Sequence, residues 1–245
     1  MKKLLPLILL FGGILVLGAV FFFIAKSTKE TPAPEEESEI APEVVLADRP
    51  IATLTPSADG HWLVMNIEKI KITAKSLDYE LLYSLPDGRT QGVPGSINLA
   101  GSELIERKLL LGSESSGKFR YDDGVTQGTL TLKFRNDQGK LVAKFATVWH
   151  LQGSVADITS VDGKLKLTLK KAPTKTFFIT METFGLPDGA PEGVTAGPWG
   201  IFSSASTKLS GTLDLGTPKS YRFSGTKWVE VTSSNFDFGI FVGTN

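Results

Sequence analysis

The sequence predicts an all-β fold, built as tandem antiparallel β-sandwiches of the immunoglobulin or fibronectin type behind one N-terminal transmembrane helix. Three observations predict it. Apolar and polar residues alternate from residue 62 onward, Asp-Gly pairs interrupt the alternating segments, and the motif of residues 85–93 recurs at residues 186–194. A period of two is typical of half-buried strands, and Asp-Gly provides the positive φ angles of tight hairpin turns.

An uncharged run of 22 residues, 4–25, comes first in the chain. A helix of that length spans about 33 Å, which matches the hydrocarbon core of a bilayer. Phe23 stands where a signal peptidase needs a small residue, so we expect an uncleaved anchor. Lys2 and Lys3 favour a cytoplasmic N-terminus. The expected location is the cell membrane, with a cytoplasmic stub and anchor in residues 1–25 and the rest of the chain extracytoplasmic.

Residues 26–50 contain four prolines, seven acidic residues and three basic residues. Such a composition cannot bury an apolar core. Because proline stiffens a chain and like charges extend it, we predict an acidic, proline-rich stalk. The stalk would hold the following domain away from the membrane.

Alternating segments fill the rest of the chain. Short strands separated by turns indicate antiparallel sandwiches rather than βαβ units. The pair Asp162-Gly163 is expected to join strands near 155–161 and 164–170. Residues 103–111 fit either two helical turns or one strand. The clearest strands are predicted at residues 77–85, 130–134, 141–151 and 165–169.

The motif LPDGRTQGV at residues 85–93 recurs as LPDGAPEGV at residues 186–194, and a GTL sequence follows each copy. This colinearity predicts an internal duplication, with a first sandwich in residues 51–152 and a second in residues 153–245. Reuse of one turn chemistry in a β-rich chain is the alternative explanation. One larger sandwich of about ten to twelve strands is the competing architecture.

Composition excludes several kinds of chemistry. The chain has 26 basic and 26 acidic residues, no cysteine and only two histidines, His61 and His150. A zero net charge argues against a nucleic-acid partner. The lack of cysteine removes disulfides, thiol catalysis and cysteine-based zinc sites. We expect no cofactor, and a structural role for both histidines.

Two short motifs carry candidate chemistry. Asp122 and Asp123, with Glu114 nearby, are candidate calcium ligands because carboxylate oxygens suit a hard cation. A solvated turn is the alternative. Ser115 and Lys118 match the S-x-x-K spacing of serine penicillin-binding enzymes, but the other motifs of those enzymes are absent, so a turn is predicted. No catalytic residue is assigned.

Trp199 lies in the sequence AGPWG, a Gly- and Pro-rich setting that predicts a loop. An indole on a loop can stack on a sugar ring or seat a protein partner, because it buries a large area at low entropic cost. Trp199 is therefore the candidate ligand contact, with a plug at the end of a sandwich as the alternative. Trp62, Trp149 and Trp228 fall in predicted strands and are core candidates.

The tract LLLGSESSGKFRYDDGVTQGTLTLKFRN, residues 109–136, resembles a stretch of uncharacterised membrane-anchored bacterial surface proteins with β-sandwich ectodomains. The resemblance covers 28 of 245 residues and implies no known activity.

The anchor, the stalk and the tandem β architecture predict a non-catalytic extracytoplasmic spacer, adhesion or binding module for an envelope glycan or a surface protein. The alternative is a cell-envelope glycan or peptidoglycan hydrolase, or a carbohydrate-binding component.

Overall fold

Alternation of apolar and polar residues makes each long segment a strand with one buried face. The computed structural model describes residues 41–99, 101, 104–205, 208–232 and 234–245. Within these ranges the strands are β1 (Ile51–Pro56), β2 (Trp62–Glu68), β3 (Ser76–Ser84), β4 (Thr90–Asn98), β5 (Leu104–Leu110), β6 (Gly112–Ser115), β7 (Lys118–Tyr121), β8 (Gln127–Arg135), β9 (Leu141–Gly153), β10 (Asp157–Thr159), β11 (Lys166–Leu169), β12 (Phe177–Glu182), β13 (Val194–Ser203), β14 (Leu209–Asp214), β15 (Lys219–Phe223), β16 (Trp228–Glu230), β17 (Asn235–Phe236) and β18 (Gly239–Thr244).

The predicted all-β, antiparallel class is confirmed. The strand pairs of every sheet run antiparallel. The one helical turn among the described residues is a 3-10 turn at Leu46–Asp48. The same part of the chain holds no helix long and apolar enough to cross a bilayer. The predicted anchor, residues 4–25, and residues 26–40 of the stalk lie outside the described residues.

Nine strands form one central sheet, in the order β16-β15-β18-β13-β12-β9-β8-β3-β4. Two smaller sheets pack on it. We call β1-β2-β5 the first cover sheet and β10-β11-β14-β17 the second cover sheet. Strands β6 and β7 form a separate hairpin.

The two cover sheets pack on opposite faces of the central sheet. The first core lies under the first cover sheet and includes Phe134, Trp149 and Ile179. The second core lies under the second cover sheet and includes Phe178 and Ile201. Neighbouring side chains of a strand point to opposite faces, so the adjacent residues Phe178 and Ile179 place the two cores on opposite sides of β12.

Most of the predicted strands are confirmed, including β5 in the ambiguous segment 103–111. The burial of the three tryptophans predicted to lie in the core agrees with the prediction for one of them only. Trp149 is fully buried in the first core, as expected. Trp62 and Trp228 lie in strands but are only partly buried, so their assignment to the core is wrong.

The Asp162-Gly163 turn joins β10 and β11, as predicted. The Asp162 Oδ1 atom accepts hydrogen bonds from the Ser160 hydroxyl at 2.6 Å and the Lys164 N–H at 3.2 Å. Gly163 adopts a φ of 73°, which a residue with a Cβ rarely adopts. The Ser-x-Asp-Gly turn at residues 57–60 joins β1 and β2 in the same way.

The end of the predicted stalk packs against the strands. Val44 contacts the first core. The guanidinium of Arg49 donates to the Val44 carbonyl at 2.9 Å, and the Gly185 N–H donates to the Pro50 carbonyl at 3.0 Å. Residues 41–245 form one compact unit, so the last ten stalk residues, 41–50, belong to it.

The predicted boundary after residue 152 falls at the end of β9, which pairs with β12 in the central sheet. In residues 51–152 the first, second and fifth strands, β1, β2 and β5, form the first cover sheet. In residues 153–245 the first, second and fifth strands, β10, β11 and β14, belong to the second cover sheet. The division into sandwiches at 51–152 and 153–245 stays a prediction.

Candidate functional site

A two-residue turn connects the strands of the β6-β7 hairpin. Ser116 and Gly117 occupy it with φ angles of 52° and 75°. Positive φ at both central residues is the signature of a type I′ turn, whose twist suits a hairpin. Ser115 and Lys118 are register partners beside the turn, so the predicted turn is confirmed and the S-x-x-K spacing does not open a helix.

The hairpin has two chemically different faces, because directly opposed residues of an antiparallel pair share a face. Glu114 opposes Phe119, and Gly112 opposes Tyr121. One face therefore carries two aromatic rings and one carboxylate. The other face carries Ser113, Ser115, Lys118 and Arg120.

Two aromatic residues, His61 in the turn before β2 and Trp62 at its start, pack against the rings of the hairpin. The Tyr121 ring stacks on the His61 imidazole, with centroids 4.1 Å apart and planes 11° apart. Phe119 meets Trp62 edge to face, with centroids 5.5 Å apart. The rings of Phe119 and Tyr121 are nearly parallel, 9° apart, with centroids separated by 6.3 Å. We call His61, Trp62, Phe119 and Tyr121 the aromatic surface.

The turn before β2 fixes the backbone beneath two of these rings. Asp59 accepts hydrogen bonds from the Ser57 hydroxyl and, at 3.1 Å, from the His61 N–H. The Ser57 oxygen accepts from the Trp62 N–H at 3.0 Å. The hydrogen bond from Ser57, followed by that from His61, holds the pKa of Asp59 below its ordinary value. The charged carboxylate therefore stabilises the turn that positions His61 and Trp62.

The two rings of the hairpin are exposed although they are held in place. Phe119 is 45% exposed and Tyr121 is 38% exposed. Contacts with Trp62 and His61 restrict their rotamers, so binding would cost little further side-chain entropy. Clustered exposed aromatic groups mark binding surfaces, because each ring offers a large apolar contact area.

No protein-family model, curated protein or solved structure matches the chain. The interpretation of the aromatic surface rests on its own geometry. The resemblance of residues 109–136, which contain the hairpin, to membrane-anchored surface proteins stays a prediction.

Sequence reasoning missed the aromatic surface. Phe119 and Tyr121 alternate with Lys118 and Arg120, which predicts only a strand with one apolar face. The signal that identifies them as exposed is the opposing strand GSES, which has no apolar side chain to help form a core. A two-stranded ribbon with aromatic residues on one strand alone cannot enclose them.

The candidate calcium ligands do not converge on a metal site. Asp122 accepts a hydrogen bond from the Tyr83 hydroxyl at 2.9 Å. Burial, together with this carboxylate, raises the pKa of Tyr83 above its ordinary value. Asp123 and Glu114 are exposed. Within the described ranges, no three His, Asp or Glu side chains come together as a metal site.

Trp199 lies in strand β13 and not in a loop, so that part of the prediction is wrong. It opposes Glu182 of β12 and Phe241 of β18, and it belongs to the second core. Its exposed fraction is 5%. The strand continues through Gly197 and Pro198, and its register with β18 shifts on either side of Ala196. Ligand contact by Trp199 stays a prediction.

His150 has a structural position between two sheets. Its Nδ1 atom lies 2.8 Å from the carbonyl oxygen of Thr159, which also accepts a hydrogen bond from Thr180. The Gln152 side chain bonds both the N–H and the carbonyl of Thr159. These contacts connect β9 and β12 of the central sheet to β10 of the second cover sheet.

Proposed function

We propose that the protein is a non-catalytic binding module, anchored in the cell membrane and facing outward, whose aromatic surface binds a sugar ring of an envelope glycan. The observation that carries the proposal is the exposure of Phe119 and Tyr121 on a hairpin that other rings hold rigid. Rigid, exposed aromatic groups give affinity at low entropic cost.

The chemistry of the aromatic face suits a sugar. The C–H faces of a pyranose are apolar and pack on aromatic rings, while its hydroxyl groups need hydrogen-bond acceptors. Glu114 shares a face with Phe119 and provides carboxylate oxygens beside the rings. Lys118 and Arg120 lie on the opposite face, so they leave the aromatic side without a competing cation.

The sequence supports the placement of the module. The apolar residues 4–25 are long enough to anchor the chain, and the acidic residues 26–40 suit a spacer. A binding surface carried beyond a stalk can reach a glycan layer above the membrane. The protein would then act as an adhesion or binding component of the envelope.

We further propose the finer architecture that the sequence predicts: two duplicated sandwiches of the immunoglobulin or fibronectin type. Support comes from the cover sheets, which use the first, second and fifth strands of residues 51–152 and of residues 153–245. In this arrangement the two sandwiches share the central sheet, because β9 pairs with β12.

Cosedimentation with purified, insoluble envelope glycan tests the binding proposal. The full chain is kept in a detergent without a sugar head group, so that the detergent does not compete. We expect Tyr121→Ala and Phe119→Ala each to weaken binding by about fivefold or more, as truncation of an aromatic hot spot does.

A matched control uses an apolar residue of similar exposure outside the aromatic surface. Val229 is 41% exposed and lies in β16, an edge strand of the central sheet that contributes no residue to the aromatic surface. Val229→Ala should bind like the parent chain. Equal sedimentation of the parent and both hairpin variants, with unchanged melting, would refute the proposed role of the aromatic surface.

A further inference from the structure

A cleft lies where the central sheet passes under the turn between β10 and β11. Its volume is about 270 Å³. The cleft is lined by β9, by the Ser160–Asp162 turn, and by Glu182 and Trp199 of neighbouring strands. It is separate from the aromatic surface, whose residues belong to β2, β7 and the turn before β2.

One part of the lining of the cleft consists of small apolar side chains. Val148 of β9 is 50% exposed, and Val161 of the turn is 47% exposed. Ala146 also contributes to the lining. Three short aliphatic side chains give the cleft an apolar wall against which a methyl group can pack.

Among the polar residues that line the cleft, Trp199 offers a donor and Glu182 an acceptor on adjacent strands. Trp199 and Glu182 are register partners, so their side chains share a face. Trp199 is 5% exposed and lines the cleft, and its indole N–H donates to no other described residue. The exposed carboxylate of Glu182 forms no ion pair within the same ranges.

The second carboxylate of the cleft is already engaged. Asp162 accepts hydrogen bonds from Ser160 and from the Lys164 backbone, and its other oxygen lies 3.0 Å from the Lys164 ammonium. These contacts together hold the pKa of Asp162 below its ordinary value against the opposing effect of burial. The charge of Glu182 also helps to raise the pKa of Lys164, but its carboxylate accepts no hydrogen bond from another described residue, so it is the more open acceptor of the two.

We propose that this cleft binds the acetamido group of an N-acetylated amino sugar. The amide carbonyl accepts a hydrogen bond from the Trp199 indole, and the amide N–H donates to the Glu182 carboxylate. The acetyl methyl packs against Val148 and Val161. A secondary amide is the chemical group that offers one acceptor, one donor and a small apolar end together.

The choice of a sugar rather than another secondary amide rests on the proposed function, because the aromatic surface is assigned to an envelope glycan. The acetamido geometry itself does not depend on that surface. A glycan bearing N-acetyl groups could contact the protein at both places.

Saturation-transfer NMR on the full chain tests the assignment. The probes are N-acetylglucosamine, glucosamine and glucose, with the protein in a detergent without a sugar head group. We expect the acetyl methyl of N-acetylglucosamine to receive the strongest saturation, and the other two sugars to give little signal from the cleft. Equal signals from N-acetylglucosamine and glucose would overturn the proposal.

Two variants remove one hydrogen-bonding group each. Trp199→Phe keeps an aromatic ring and removes the N–H, whereas Glu182→Ala removes the acceptor. Each should weaken N-acetylglucosamine binding by about threefold to tenfold, the usual effect of losing one hydrogen bond. Trp228→Phe and Glu80→Ala make the same changes outside the cleft and should bind like the parent chain.

The remaining outcomes also decide the question. Full binding by a Trp199→Phe variant that melts normally would refute the role of the indole. An N-acetylated dipeptide amide that competes as well as the sugar would refute the assignment to a glycan. The double variant Phe119→Ala, Tyr121→Ala should keep the acetyl signal, so failure of the aromatic surface and failure of the cleft are distinguishable.

Discussion

Phe178 and Ile179 are adjacent in β12, and their side chains pack into different cores. The first core lies on one face of the central sheet and the second on the other, so β12 is the strand at which the two halves of the molecule meet. Strand β12 also pairs with β9 over five register positions, and its residues Ile179 and Met181 belong to the first core, so residues 51–152 do not complete their core alone. The two predicted sandwiches should therefore unfold together.

Calorimetry on two variants tests this coupling. Ile179→Ala removes buried side-chain volume from the first core, and Phe178→Ala removes it from the second. Such truncations cost about 2–5 kcal/mol each. We expect a single transition for the folded part in the parent chain and in both variants, with the transition shifted to lower temperature by either substitution. Two transitions, only one of which moves in each variant, would show independently folding sandwiches.

Truncation of Trp199 should strongly destabilise the chain. The indole is 5% exposed and packs in the second core, so Trp199→Ala is expected to cost about 3–5 kcal/mol of unfolding free energy. Val148→Ala, at an exposed position in the same cleft, should change stability by about 0.5 kcal/mol or less. Denaturant unfolding measures both. A small effect of Trp199→Ala would mean that the indole contributes little to the core.

Pro94 should limit self-association at the edge of the central sheet. Strand β4 is the last in the sheet order. The flanking bonds Leu99 N–H to Lys75 O and Leu85 N–H to Arg89 O place the odd-numbered residues of β4 in hydrogen-bonded pairs with β3. The nitrogen of Pro94 therefore faces the open edge, where it has no hydrogen to donate.

The variant Pro94→Thr restores that donor on a strand that carries no charged residue. We expect increased self-association, because an uncharged edge with a full set of donors can pair with another chain. Ser96→Thr, at the next outward-facing position, adds a similar side chain without adding a donor and should leave association unchanged. Analytical ultracentrifugation measures the effect. Identical sedimentation of Pro94→Thr and the parent chain would contradict this role of Pro94.

The sequence predicted the strands and turns well because those features depend on local patterns. Alternation in β3 and β9 and the Asp162-Gly163 turn each reflect a few neighbouring residues. Burial of Trp199 and exposure of Phe119 depend on which sheet covers which face, and a period of two does not contain that information. Glycine and proline near Trp199 predicted a loop, yet pairing with β12 and β18 keeps the segment in the sheet.

The Asp59 turn links acid stability to the aromatic surface. The hydrogen bonds from Ser57 and His61 lower the pKa of Asp59 from its ordinary 3.8. A carboxyl whose pKa is lower in the folded state stabilises the fold above the unfolded pKa, and this contribution is lost as the pH falls through the folded pKa. Asp59→Asn should therefore be less stable than the parent chain at neutral pH, with the difference shrinking below about pH 4.

The same substitution should also disturb binding, since Asp59 holds the His61 backbone under the stacked Tyr121 ring. Thermal melts from pH 2 to 7 measure the stability difference, and glycan cosedimentation at pH 7 measures the binding. Asp137→Asn serves as control because it makes the same change at an exposed turn between β8 and β9. A stability difference that stays constant across the pH range would show that the charge of Asp59 does not support the turn.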